Sequence, residues 1–289
     1  MKTHGLFITL LTASAVSAQD ICRSTDANPY RLTGSRAAYT LVRNPDPSDL
    51  MAQCTPLQTW ILSRHAGRYP SADQITQINA DGPALRDAVL ATRDDITEIC
   101  DEDLDALAAW PTLVLDPESD AYNLADEGYV EGETLGKAVR ARLTGLVSEY
   151  DPESFAFRHT DAQRTEATAR AFAKGVFGDV PVFLPRPENP DVLIQPDKNC
   201  PKWDEEVVNN PESLSNYDAF RESEEFVAMM RNVDERTANE PNTWDLSDVK
   251  LMHMICSFEQ GWFPSDVSPF CSLFSEADLK ASSIPLWGF

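Results

Sequence analysis

The stretch Leu62-Ser63-Arg64-His65-Ala66-Gly67-Arg68-Tyr69-Pro70 sets a histidine between two arginines in a turn. Before it runs Leu57-Gln58-Thr59-Trp60-Ile61-Leu62, whose length and Trp and Ile content predict a buried strand. After Pro70 the pattern becomes helical. A strand that ends in a basic, Gly-containing turn and feeds a helix is suited to an anion. Backbone N–H groups and the helix N-terminus favour it, and guanidinium groups fork onto its oxygens. A neutral imidazole at the same place can attack phosphorus, with the arginines stabilising charge on the equatorial oxygens. The plain alternative is a surface Arg-His-x-x-Arg without chemistry.

A second stretch repeats the arrangement. Phe155-Ala156-Phe157 alternates as a short strand and runs into Arg158-His159-Thr160-Asp161-Ala162-Gln163-Arg164-Thr165, with a helix following to about Gly175. Two strand ends bearing arginines in one parallel sheet can converge on a single anion. Taken alone, this stretch reads more simply as a helix capped by Thr160 or Asp161. His253, in Met252-His253-Met254, reads as a packed structural residue, and His4 belongs to the leader.

The chain of 289 residues is 42% hydrophobic, enough for one large core or two modest domains, and carries a net charge of −23. Such a body repels nucleic acid and anionic membranes, so neither is an expected partner. Clustered arginines in it therefore mark a local basic pocket. Lys2, the apolar Leu6 to Leu11 and the small Val16-Ser17-Ala18 read as a signal peptide over residues 1–18. No later run is long enough to span a membrane. The expected place is outside the cell or in the secretory lumen, endoplasmic reticulum and lysosome included. Cys22, Cys54, Cys100, Cys200, Cys256 and Cys271 all follow the cleavage point and read as disulfides. Cys256 and Cys271, joined by a short Pro- and Gly-containing loop, are the first local pair. There is no C-x-x-C pair to suggest zinc.

Helices are expected over 72–79, 82–99, 104–110 and 123–147, then after Thr165 to about Gly175, and over 214–233 and 243–258. Tyr39 to Val42 and Val192 to Ile194 are further strand candidates, and 177–211 is Pro-rich and loop-like. Strands alternating with helices predict an α/β fold around a parallel sheet.

Three blocks in order resemble the histidine acid phosphatases, branch 2 of the histidine phosphatase superfamily. Arg64-His65-Ala66-Gly67-Arg68-Tyr69-Pro70 resembles the family's Arg-His-Gly-x-Arg-x-Pro signature. Leu124-Ala125-Asp126-Glu127-Gly128 is similar to its Leu-Thr-x-x-Gly block, and Thr160-Asp161-Ala162-Gln163-Arg164-Thr165 to its Thr-Asp-x-x-Arg-Thr block. Phe157 to Gly178, Cys256-Ser257-Phe258-Glu259 and Ser268 to Phe274 narrow the likeness to the multiple inositol polyphosphate phosphatases.

The resemblance implies a parallel-sheet core flanked by helices within 19–289, with roughly 180–280 as a mainly helical cap. It implies His65 as the nucleophile that becomes phosphorylated, and Arg64, Arg68 and Arg164 as ligands of the transferred phosphate. No metal and no other cofactor is implied. The substrates would be small phosphomonoesters: inositol polyphosphates such as phytate, and 2,3-bisphosphoglycerate. Two departures stand out. Ala66 replaces the signature glycine, which costs roughly a kcal/mol if that position needs positive φ. The family's later His-Ala-Glu or His-Asp block, which supplies the general acid, does not occur, and Ser282 to Phe289 looks unrelated. The expectation is a chain whose core is incomplete at its C-terminal end. Two other functions stay open beside the leading one: an inactive isoform that at most binds phosphate, and a general acid phosphatase without inositol preference.

Overall fold

The structure is a computed structural model that describes residues 22, 32–43, 55–111, 115–147, 149–185, 187 and 191–282. The expected signal segment, Cys54 and residues 283–289 lie outside the described residues. In chain order the helices are α1 (Tyr39–Val42), α2 (Ala72–Leu90), α3 (Asp101–Ala108), α4 (Asp126–Arg142), α5 (Gln163–Phe177), α6 (Pro201–Trp203), α7 (Ser215–Arg221), α8 (Glu224–Arg236), α9 (Leu246–Trp262) and α10 (Glu276–Ser282).

Helix α9 is the centre. Asp245 caps it by accepting the N–H groups of Ser247 and Asp248, and the Asp248 side chain accepts the Asp245 N–H in return. This reciprocal cap satisfies donors that a helix start otherwise leaves open. Val249, Leu251, Met252, Met254, Ile255 and Phe258 are all buried, so apolar residues face every side. A helix of that kind needs neighbours all round. Helices α2, α3 and α8, the turn Pro269–Leu273 and α10 share one apolar core with it. The Cys256–Cys271 disulfide, expected from the sequence, ties that turn to α9. Its separation of 15 residues corresponds to about 3 kcal/mol in the chain-entropy account. His253 lies in this core, edge-on to Phe274.

The two helices expected over 72–79 and 82–99 are one that ends at Leu90, and 91–99 is not α-helical. Helix α2 begins at a Ser71/Gln74 capping box and passes straight through Pro83. A proline there costs roughly 3 kcal/mol. Ile75, Ile78, Leu85 and Val89, buried on both sides of it, offset that at about 1.5–3 kcal/mol each. Helices α4 and α5 form the other close pair. A Cβ on Gly136 would overlap the Phe172 carbonyl, and one on Gly175 would overlap the Glu133 carbonyl. Glycine lets the two backbones touch. At the end of α5, Val147, Tyr150, Phe155, Phe157 and Val176 gather around Phe177.

The expected sheet is the main difference. Among the described residues, strand pairing is limited to one isolated antiparallel bridge, Arg68 to Leu124. Residues 57–62 are not a buried strand: Leu57 is 88% exposed and Trp60 78%. A strand needs a neighbour to take its N–H and C=O groups and cover its faces, and no described segment pairs with this one. Phe155 and Phe157 do turn inward while Ala156 faces out, as the alternation predicts, but without ladder partners. Tyr39–Val42 is a helical turn and Val192 to Ile194 a surface turn, not strands.

Candidate functional site

The turn from Arg64 to Tyr69 is held from four sides. The Ala66 N–H donates to Thr168 Oγ1 on α5 at 3.1 Å, and the Gly67 N–H donates to Glu131 Oε2 on α4 at 2.8 Å. The Gly67 carbonyl accepts from Ala125 N–H at 3.0 Å, and the Tyr69 N–H donates to the Asn123 carbonyl at 2.9 Å. Trp262, at the end of α9, donates its indole N–H to the Arg68 carbonyl at 3.2 Å. The three sequence blocks therefore meet: Gln163 also accepts the Leu124 N–H at 2.9 Å.

This network corrects one expectation. The turn's N–H groups at Ala66, Gly67 and Tyr69 are spent inside the protein, and in the first turn of α2 the Gln74 N–H goes to Ser71 Oγ. An anion here cannot use those four N–H groups and would draw on the arginine side chains. Nor does Thr160 or Asp161 cap α5, whose start has no side-chain cap bond; Thr160 pairs instead with Thr165. Ala66 is tolerated for a simple reason: positive φ among described non-glycine residues occurs at Tyr122, Ala238 and Asn242, not at 66.

His65 is half-buried, with Nδ1 2.8 Å from the Ala66 carbonyl. A carbonyl only accepts, so in the neutral ring Nδ1 carries the proton and Nε2 keeps its lone pair. Burial pulls the imidazole down to about 4, helped by Arg64, Arg164 and Arg68 and opposed by the Ala66 hydrogen bond. The ring is thus neutral at ordinary pH, the form that can attack phosphorus.

Arg64 reaches the Ser35 carbonyl at 3.0 Å, and Arg68 its neighbour Tyr69's carbonyl at 2.6 Å. Both line a cavity of about 920 Å³ with His65. Arg164, at the start of α5, is not among the residues lining it but stands close by. Arg68 and Arg164 share the Tyr122 ring, at 5.4 and 5.8 Å from its centroid. Arg164 Nε is buried and has no hydrogen-bond partner among the described residues, a state that an anionic oxygen would relieve. His159 repeats the geometry of His65, with Nδ1 2.9 Å from the Thr160 carbonyl, while Arg158 pairs with Asp191 at 3.1 Å.

The sequence reading missed four residues of this site. Arg36 lies over the Phe258 ring at 4.0 Å and faces Arg64 and Arg68 electrostatically. Glu131 and Thr168 hold the turn, and Tyr122, with its φ of 64°, braces two arginines. The one cluster among the described residues with metal-ligand distances is Cys22, Cys100 and Glu102. Cys22 and Cys100 are bonded to each other, so their sulfurs are not thiolate ligands.

Proteins named multiple inositol polyphosphate phosphatase 1 are similar to the chain: 29% identical in Drosophila melanogaster over 93% of this chain and 59% of that protein. In Gallus gallus the identity is 28% over 81% and 49%, and in Homo sapiens 26% over 89% and 53%. The chain thus spans half to three-fifths of the length of these curated relatives. No solved structure gives a significant match. The family described as "Histidine phosphatase superfamily (branch 2)" matches residues 58–283, which include the His65 turn, the block at 124–128 and Arg164. The chain belongs to branch 2 of the histidine phosphatase superfamily.

Proposed function

We propose that this chain carries the nucleophilic half of a phosphohistidine site acting on phosphomonoesters, with inositol polyphosphates as the substrate class. The observation that carries the reading is the His65 ring. Its Nδ1–H is tied to the Ala66 carbonyl and its Nε2 is unprotonated, among arginines 64, 68 and 164. Nε2 attacks phosphorus, the P–O ester bond breaks, and the alkoxide leaves with its electron pair. Arginine forks stabilise the charge on the remaining oxygens. Water then cleaves the N–P bond, releasing orthophosphate and the free histidine. The names of the relatives support the inositol polyphosphate class.

Two disulfides among the described residues, Cys22–Cys100 and Cys256–Cys271, fit an oxidising lumen or secretion. No helix among the described residues is long and apolar enough to cross a membrane. One observation favours a second reading, in which the chain binds phosphate without turnover. Glu131 is the one carboxylate among the residues lining the cavity, and both its oxygens accept backbone N–H groups. Neither is placed to protonate a leaving oxygen. Phosphate release from an aryl phosphate and from phytate, by the chain and by His65→Ala, separates the readings. Release that the substitution abolishes supports the enzyme; no release with intact phosphate binding supports the second reading.

A further inference from the structure

Tyr122 has two features that packing does not explain. Its φ is 64°, in the left-handed region that glycine visits readily and a bulky L-residue rarely does. Its side chain belongs to a residue that is 47% exposed, so the ring is not there to fill the core. Backbone in such a region persists where the surroundings over-determine it, and such positions gather at functional sites.

The surroundings here are the His65 turn. The Tyr122 N–H donates to the Pro70 carbonyl at 2.8 Å, and the Tyr69 N–H donates to the Asn123 carbonyl at 2.9 Å. With the Arg68–Leu124 bridge, these bonds run residues 122–124 antiparallel to 68–70. Glycine would take the required φ without steric strain. What glycine cannot supply is the ring.

The ring stands under two arginines from different parts of the chain. The Arg68 guanidinium carbon, from the turn, is 5.4 Å from its centroid, and that of Arg164, from the start of α5, is 5.8 Å. Both are within reach of a cation–π contact. Two like charges this close oppose each other. Burial, then Arg164 and Arg64, pull Arg68 down from the ordinary arginine value, and Tyr122 acts in the opposite direction. The shared ring therefore offsets part of the repulsion and orients both side chains. Arg164 Nε, buried and with no hydrogen-bond partner among the described residues, is left for a ligand oxygen.

We propose that Tyr122 is a positioning residue for phosphoryl transfer: its ring holds Arg68 and Arg164 together on one anion, and the left-handed backbone is retained to place that ring. The proposal deepens the reading of His65 as the transfer site and rests on it.

Rapid-quench measurement of phosphoryl transfer from para-nitrophenyl phosphate to His65 tests it, with urea unfolding of each variant alongside. Tyr122→Leu keeps an apolar side chain and the same backbone demand but has no π face. Tyr122→Gly removes ring and strain together, and Tyr122→Phe keeps the ring without the hydroxyl. The expected result is transfer about tenfold slower in the Leu and Gly variants, the scale of one such contact, with Tyr122→Phe restoring the rate. Tyr122→Gly should unfold at a urea midpoint no lower than the parent's, so that its loss is not one of folding; should the midpoint fall, Tyr122→Leu decides. A parental rate in Tyr122→Leu overturns the proposal, and so does a loss in Tyr122→Phe as large as in Tyr122→Leu, which would assign the role to the hydroxyl. Absence of a phosphoryl group on His65 in the parent overturns the transfer reading, and this proposal with it.

Discussion

Glu131 on α4 accepts the Gly67 N–H at 2.8 Å with one carboxylate oxygen and the Tyr39 N–H at 2.6 Å with the other. A single side chain, 6% exposed, therefore joins the His65 turn to the segment that bears Arg36. Glu131→Gln keeps the shape but offers one acceptor where two donors converge, leaving a buried N–H facing an amide NH2. The expected cost is about 1–3 kcal/mol, read as a lower urea midpoint together with weaker orthophosphate binding. Unchanged stability and binding would mean the carboxylate only fills space.

Gly128 tests the approach of α4 to the same turn. A Cβ there would overlap the Gly67 carbonyl and sit 2.8–2.9 Å from the Leu124 side chain. Gly128→Ala should displace the turn and cost about 1–3 kcal/mol as an overpacking change. Gly145→Ala is the control: nothing lies within 4 Å of the added atom, and the change should be neutral or stabilising by up to about 1 kcal/mol. Equal effects from the two would show that close approach is not what Gly128 provides.

Much of this was legible in the sequence, for reasons that differ by residue. The turn at 64–70 and the block at 160–165 could be read because their function-bearing residues are near neighbours. Helix α4 announced itself by apolar spacing, and the Cys256–Cys271 loop by its length. Glu131 and Arg36 could not be read, because each gains its role from a partner far along the chain. Glu131 meets Tyr39 across 92 positions, and Arg36 meets Ser257 across 221. In a helix pattern Glu131 looks like any solvated charge. The strand expectation at 57–62 used local propensity, which describes fit to a pleated surface and cannot supply the neighbouring strand. Tyr39–Val42 failed for the same reason: four residues of strand-like composition follow their tertiary anchor, the Glu131 carboxylate on the Tyr39 N–H.

His253 should set part of the acid sensitivity. It is fully buried, and burial, then Arg36, pull it down to about 3. The unfolded chain takes up that proton near pH 6.5. Between about 6.5 and 3 the unfolded state therefore holds more protons than the folded one. Stability is complete above pH 6.5 and falls as pH drops, by about 1.4 kcal/mol per pH unit for this group. His65 acts with the same sign down to about 4. Urea unfolding at pH 7 and pH 5 should show His253→Leu losing less stability on acidification than the parent. An identical loss would show that His253 is not titrating as described.

The engaged state of Glu131 predicts how any turnover depends on the leaving group. General acid catalysis is worth about 10²–10⁴-fold, and it matters most for poor leaving groups such as ring alkoxides. Rates on aryl phosphates should therefore exceed those on alkyl phosphates and fall steeply as leaving-group pKa rises. A flat dependence would reveal an acid that Glu131 does not provide.

The central claim is a covalent bond from His65 Nε2 to phosphorus. The direct measurement is mass spectrometry of the chain after alkaline quench during exposure to an aryl phosphate, conditions under which phosphohistidine survives. The account predicts one added phosphoryl group on the peptide that contains His65, absent from the His65→Ala variant. A phosphoryl group found on another residue, or persisting in His65→Ala, would contradict it.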